Sequence, residues 1–176
     1  TRSVARLGGL QRRQPEVPMR TIPAILLLAL LGGGGCTDDE TTRRQAEVAE
    51  AGAMVMPFDL DRSTHVFEKT DFGGIQVVAS DDGDGEQVEL IRDHLAHEAE
   101  RFARGDFHDP AMIHGDDMAG MHAMVMGHDR ITITYRDVED GGEIRYESED
   151  SDLIQAIHDW FDAQVSDHGE HAQSHR

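Results

Sequence analysis

A chain of 176 residues has room for one domain rather than two. Its 35 acidic against 16 basic residues give a formal net charge of −19, a surface that repels nucleic acid and anionic membranes. With Cys36 as the lone cysteine there is no internal disulfide, no zinc finger and no CxxCH haem attachment, so any soft metal must be held by Met and His.

Taken in order, residues 1–18 read as upstream over-translation ahead of Met19. Residues 19–35 read as a signal peptide: Met19 and Arg20, an apolar run from Ile22 to Leu31, then Gly32 to Gly35. The apolar run is too short to span a bilayer. Cys36 directly follows small residues and resembles the lipidated cysteine of bacterial lipoproteins, with Gly33 where Leu is usual. Cleavage there leaves 11 basic and 34 acidic residues, a net charge of −23. Thr37 in place of Asp after the cysteine points to the outer rather than the inner membrane, on the periplasmic side of the envelope. Residues 36–56 read as a polar, partly helical tether.

Residues 57–170 read as a single α+β domain. Alternating β-branched and aromatic residues predict strands over Thr64–Lys69 and Ile75–Ser80 around an Asp71-Phe72-Gly73-Gly74 turn. Val88, Ile91, Leu95, Ala99 and Phe102 share one stripe of a helix over Glu86–Arg104, ended by Gly105. Strands follow at Arg130–Arg136 and Glu143–Ser148, then a helix capped at Asp150 or Ser151 and closed by Gly169. Leu153, Ile154, Ile157, Trp160, Phe161 and Val165 form its apolar face. Gly73-Gly74 and Gly141-Gly142 precede matching strands, so the order is a tandem ββα-ββα. The expected architecture is a four-stranded antiparallel sheet with two helices on one face. Residues 171–176 read as a flexible tail.

Between the two units lies a long Met/His loop. From Met112 to His128 it holds Met112, Met118, Met121, Met124 and Met126 with His114, His122 and His128. Thioether sulfur and imidazole nitrogen suit copper, Cu(I) above all. Gly115, Gly120 and Gly127 interrupt it, so it is not one clean helix. Buried Met is also a good filler of irregular gaps. His94 lies about 100° and His158 about 90° from the centre of its helix's apolar stripe, on the border between core and solvent. His168 returns to the apolar side if its helix persists, and His65 shares a strand face with Phe67. The candidate metal ligands are therefore His65, His94, His114, Met118, Met121, His122, His158 and His168.

The runs Thr64-His65-Val66-Phe67, Phe72-Gly73-Gly74-Ile75-Gln76, Glu98-Ala99-Glu100-Arg101-Phe102, Gly105-Asp106-Phe107, Asp109-Pro110-Ala111, Ile113-His114-Gly115 and Trp160-Phe161-Asp162-Ala163-Gln164 carry a resemblance, as does Asp167-His168-Gly169. Together they resemble a family of small exported proteobacterial proteins often labelled "aspartate carbamoyltransferase". The resemblance supplies no catalytic residues, but its recurring phrases hold or adjoin His65, His94, His114, Met118, His158 and His168. Carbamoyl transfer itself is not expected. Such enzymes have two α/β domains and a Ser-x-Arg-Thr loop opening a helix, whereas Asp61-Arg62-Ser63-Thr64-His65 has another order and leads into a strand.

The reading is a lipid-anchored periplasmic protein that binds copper, as Cu(I) or Cu(II), for sequestration or delivery. Two alternatives stand beside it. One is a non-metal envelope module with a protein partner; the other is a metalloenzyme using His94, His97, Glu98, His158 and Asp162. No Gly-x-Ser-x-Gly elbow, His-Glu-x-x-His motif or phosphate loop is present.

Overall fold

The computed structural model describes residues 35–175. The expected segment 1–18, almost all of the expected signal and the Cys36 side chain lie outside the described residues. An alanine-rich, charged stretch makes helix α1 (Gly35–Val55), which buries Val48 (1% exposed) and packs along the last helix of the fold. The expected tether is thus helical and docked on the domain.

Strands β1 (Ser63–Thr70) and β2 (Gly73–Ser80) pair from Ser63↔Ser80 to Thr70↔Gly73, which makes Asp71-Phe72 a two-residue turn. Helix α2 (Gly85–Phe102) starts where the Asp84 side chain accepts the Gln87 N–H, and it buries the predicted stripe. The Met/His segment is ordered as two short helices, α3 (His108–His114) and α4 (Met121–Met126), separated by the glycines that its sequence supplies. Strands β3 (Thr132–Val138) and β4 (Gly141–Glu147) form the second hairpin, and α5 (Ser151–His168) follows. Helix α5 is the partner on which α1 docks.

The hairpins join through their second strands, antiparallel from Gly73↔Glu147 to Ala79↔Gly141. Helix α2 lies mainly over β3 and β4, and α5 over β1 and β2. Each hairpin is therefore covered by the helix that follows the other one, and neither ββα unit closes its own core. His65, Phe67, Val78, Ile144 and Tyr146 are buried at alternate strand positions, and all but His65 belong to one core cluster with Ile91, Leu95, Trp160 and Phe161.

The sheet has five strands rather than the expected four, in the order β3-β4-β2-β1-β5. Strand β5 (Ala172–His175) comes from the expected tail and runs parallel to β1, with Ala172 opposite His65. Ala-Gln-Ser-His carries no strand signal of its own. A turn at Gly169–His171 delivers it to the open edge of β1, whose unpaired backbone groups recruit it.

Gly120 fixes the Met segment against α5. It sits at φ +76°, and a Cβ there would collide with the Ala156 carbonyl oxygen. Met121 and Met124, which follow it in α4, are 4% and 0% exposed in the core. Gly120→Ala is expected to cost about 2 kcal/mol, while Ala123→Ser on the exposed face of α4 stays within about 0.5 kcal/mol. Urea unfolding of the two variants checks this; equal midpoints would mean that the α4–α5 contact is not tight.

Candidate histidine site

Alternation along β1 turns His65 inward, where it is 3% exposed. The last turn of α5 supplies Gln164 and His168 one helical turn apart, and α3 ends on His114, which is also 3% exposed. The His65 and His168 ring centroids are 5.0 Å apart, as are those of His114 and His168. From α2 come His94 and Glu98, again one turn apart. All of these residues line one cavity of about 40 Å³ beside Phe58, Gln76 and Trp160. That volume holds about three waters.

Hydrogen bonding orients the imidazoles. His114 Nδ1 lies 2.8 Å from Asp167 Oδ2. A carboxylate only accepts, so Nδ1–H donates and Nε2 keeps its lone pair. Asp167 is also held by Arg44 of α1 at 2.7 Å, and the same guanidinium donates to the His114 carbonyl at 2.6 Å. His168 Nε2 donates to the Gln164 amide oxygen at 3.1 Å, which leaves Nδ1 with the lone pair. The Gln164 amide nitrogen in turn faces the Met118 sulfur at 4.0 Å. Two buried polar atoms lining the cavity, His65 Nε2 and Trp160 Nε1, have no partner among the described residues.

Burial dominates the electrostatics. It pushes His65 down to about 4 and His168 down to about 2, with neighbouring imidazoles adding to the effect. His94 is lowered chiefly by burial, and His114 likewise although Asp167 pulls the other way. These four are neutral at pH 7, as metal ligands must be. Glu98 moves oppositely, raised to about 7 by burial and then by Asp109, although Arg101 bonds it at 3.0 Å.

Of the sequence-predicted ligands, His65, His94, His114 and His168 converge, and Met118 adjoins them through Gln164. Met121 is core packing, and His122 is exposed. His158 Nε2–H is shared between the Thr70 and Gly73 carbonyls at 3.0 and 2.9 Å, so it clips the β1–β2 turn. Of the helix-borne His/carboxylate set, only His94 and Glu98 line the cavity; His97 is exposed and Asp162 pairs with Lys69. Among the described residues no three His, Cys, Asp or Glu side chains stand ready to hold a metal. Arg44 was not singled out by sequence reasoning, and Gln76, Gln164 and Asp167 entered it only as members of the recurring runs, with no role assigned. Comparison with protein-family models, curated proteins and solved structures found no match. No helix among the described residues is long and apolar enough to cross a membrane.

The four histidines tie stability to pH. Each has a folded value below its unfolded value of 6.5, so below that pH the unfolded chain takes up protons that the folded chain refuses. Their cost is absent above pH 6.5 and grows as pH falls. For His65 it reaches on the order of 3 kcal/mol near pH 4. Glu98 acts in the opposite sense between pH 7 and 4.5 and offsets part of the loss. Stability from urea melts is therefore expected to be level near pH 7–8 and to fall steadily below 6.5. A flat profile to pH 4.5 would contradict the burial of these rings.

Proposed function

We propose that the protein is a lipid-anchored protein of the periplasmic face, held at Cys36 in the outer membrane, that binds one copper ion for sequestration or delivery. The observation that carries this reading is the group His65, His114 and His168, buried and neutral, with ring centroids 5.0 Å apart in two of its pairs. Two imidazoles bound tetrahedrally to one ion at about 2.0 Å place their centroids about 5 Å apart. The spacing therefore suits a shared ion, once the rings turn so that their lone pairs converge.

Asp167 and Gln164 act as the outer partners that fix which nitrogen of His114 and His168 is bare. Met118 adjoins this group through Gln164, and Met56 lines the cavity itself, so thioethers stand within the surroundings of the imidazoles. Imidazole with thioether favours copper over harder cations. In this reading the other buried methionines, Met121 and Met124, shape the core and do not ligate.

Titration with Cu(I) and Cu(II) against competing chelators tests the proposal. Binding tighter than micromolar is expected, with one ion per chain. His114→Ala or His168→Ala should remove most of it, and Asp167→Asn should weaken it by about 10- to 100-fold. His122→Ala and His158→Gln should leave it unchanged. Loss of affinity on replacing His122, with none on replacing His168, would move the site out to the Met/His segment and overturn this assignment.

A further inference from the structure

Imidazoles alone do not choose copper, because zinc takes the same donors. The choice falls to a soft ligand beside them. None of the methionines of the Met/His segment lines the histidine cavity. Met112 and Met126 are 56% and 70% exposed, while Met121 and Met124 pack in the core. The Met118 sulfur faces the Gln164 amide nitrogen at 4.0 Å and is not part of the lining. Among the described residues, the one thioether that lines the cavity is Met56, a residue of the expected tether.

Local structure holds Met56 at that place. Its N–H donates to the Gly52 carbonyl at 2.8 Å, which carries the last turn of α1 one residue further. Pro57 follows and cannot continue the helix. Two residues on from Met56, Phe58 is buried, with its ring centroid 5.8 Å from that of His94 and 6.2 Å from that of His65. The end of α1 on one side and the Phe58 ring on the other thus tie the Met56 backbone to the mouth of the cavity. Its side chain is half-buried against the core. An unbranched chain with three rotatable bonds lets the sulfur turn toward an ion without moving the backbone.

We infer that Met56 is the thioether ligand of the copper site and the residue that makes it select Cu(I). The inference rests on the copper reading and deepens it. His65, His114 and His168 supply three nitrogens, and Met56 supplies the fourth, soft donor. A thioether suits Cu(I), is a weak and long ligand to Cu(II), and adds little for harder cations. The selecting residue therefore stands outside the Met-rich segment, at the joint between α1 and the domain.

X-ray absorption of the purified full chain loaded with Cu(I) tests this. A sulfur scatterer beside the nitrogen shell is expected; it should vanish in Met56→Leu and persist in Met118→Leu. Met56→Leu keeps the apolar bulk and should weaken Cu(I) by about tenfold or more, at least what the loss of an outer partner costs. Cu(II) and Zn(II) affinities should stay within about threefold of the parent. Silver(I), a redox-inert stand-in for Cu(I), gives a readout that needs no variant. With isotope-labelled methionine methyl groups, the Met56 signal should move to saturation while the Met121 and Met124 signals stay in place. An all-nitrogen shell around Cu(I), a sulfur shell that survives in Met56→Leu, an unmoved Met56 methyl, or equal losses of Cu(I) and Cu(II) affinity would overturn the inference and leave the copper reading standing. Absence of any Cu(I), Cu(II) or silver(I) binding would remove both.

Discussion

Asp167 sits in the last turn of α5, the negative end of the helix dipole, and is only 14% exposed in its side chain. Burial there pushes its carboxyl up. Arg44 and His114 outweigh that and hold it below the usual carboxylate range. The arrangement joins three segments, with Gln45 adding a second α1–α5 bond to the Ser166 carbonyl at 3.0 Å. Arg44 brings in α1, His114 brings in the end of α3, and Asp167 belongs to α5. Arg44 also accepts the burden of the α3 C-terminus by donating to the His114 carbonyl. Without the guanidinium, a half-buried carboxylate and an unpaired carbonyl would face each other across α3 and α5, and His114 would be the one remaining side-chain partner of Asp167. The orientation of His114 therefore depends on a side chain that α1 brings in.

Much of the fold was legible because its signals are local. The strands Ser63–Thr70, Gly73–Ser80, Thr132–Val138 and Gly141–Glu147 fall within two residues of the runs predicted from alternation. The paired glycines that open β2 and β4 are a genuine internal echo, since both precede strands that meet at the centre of the sheet. What escaped is tertiary in origin. Helix α1 buries little beyond Val48, so no apolar stripe announces that it docks. Strand β5 exists because α5 and the Gly169–His171 turn leave it beside an open edge. The glycines of the Met/His segment were read correctly as breaks, but short helices fit between them.

The site was legible in direction and not in depth. A helical wheel gives the angle of a side chain and discards its position along the axis. His158 and His168 both lie toward the sheet, yet ten residues separate them by about 15 Å of rise. One therefore reaches the β1–β2 turn and the other the cavity. His94 and Glu98, a single turn apart on α2, do arrive at the same place. Alternation along β1 likewise placed His65 inward, but nothing in the sequence could say which helix end it would meet. Met118 and Met121 look alike in the sequence; packing against Gln164 separates the first from the plain core role of the second.

The cavity and a larger recess between α1 and β1 share the His65 and His168 side chains, so whatever moves either ring is felt on both sides. Burial has driven their values down to about 4 and about 2, so near neutral pH both rings stay neutral. His114 lines only the cavity, whereas its Asp167 partner lines the recess, so the hydrogen bond between them is a polar link from one space to the other. Arg44 of α1 fixes that link, and a charge that would otherwise be left half-buried between two helices becomes the point at which α1, α3 and α5 are held together.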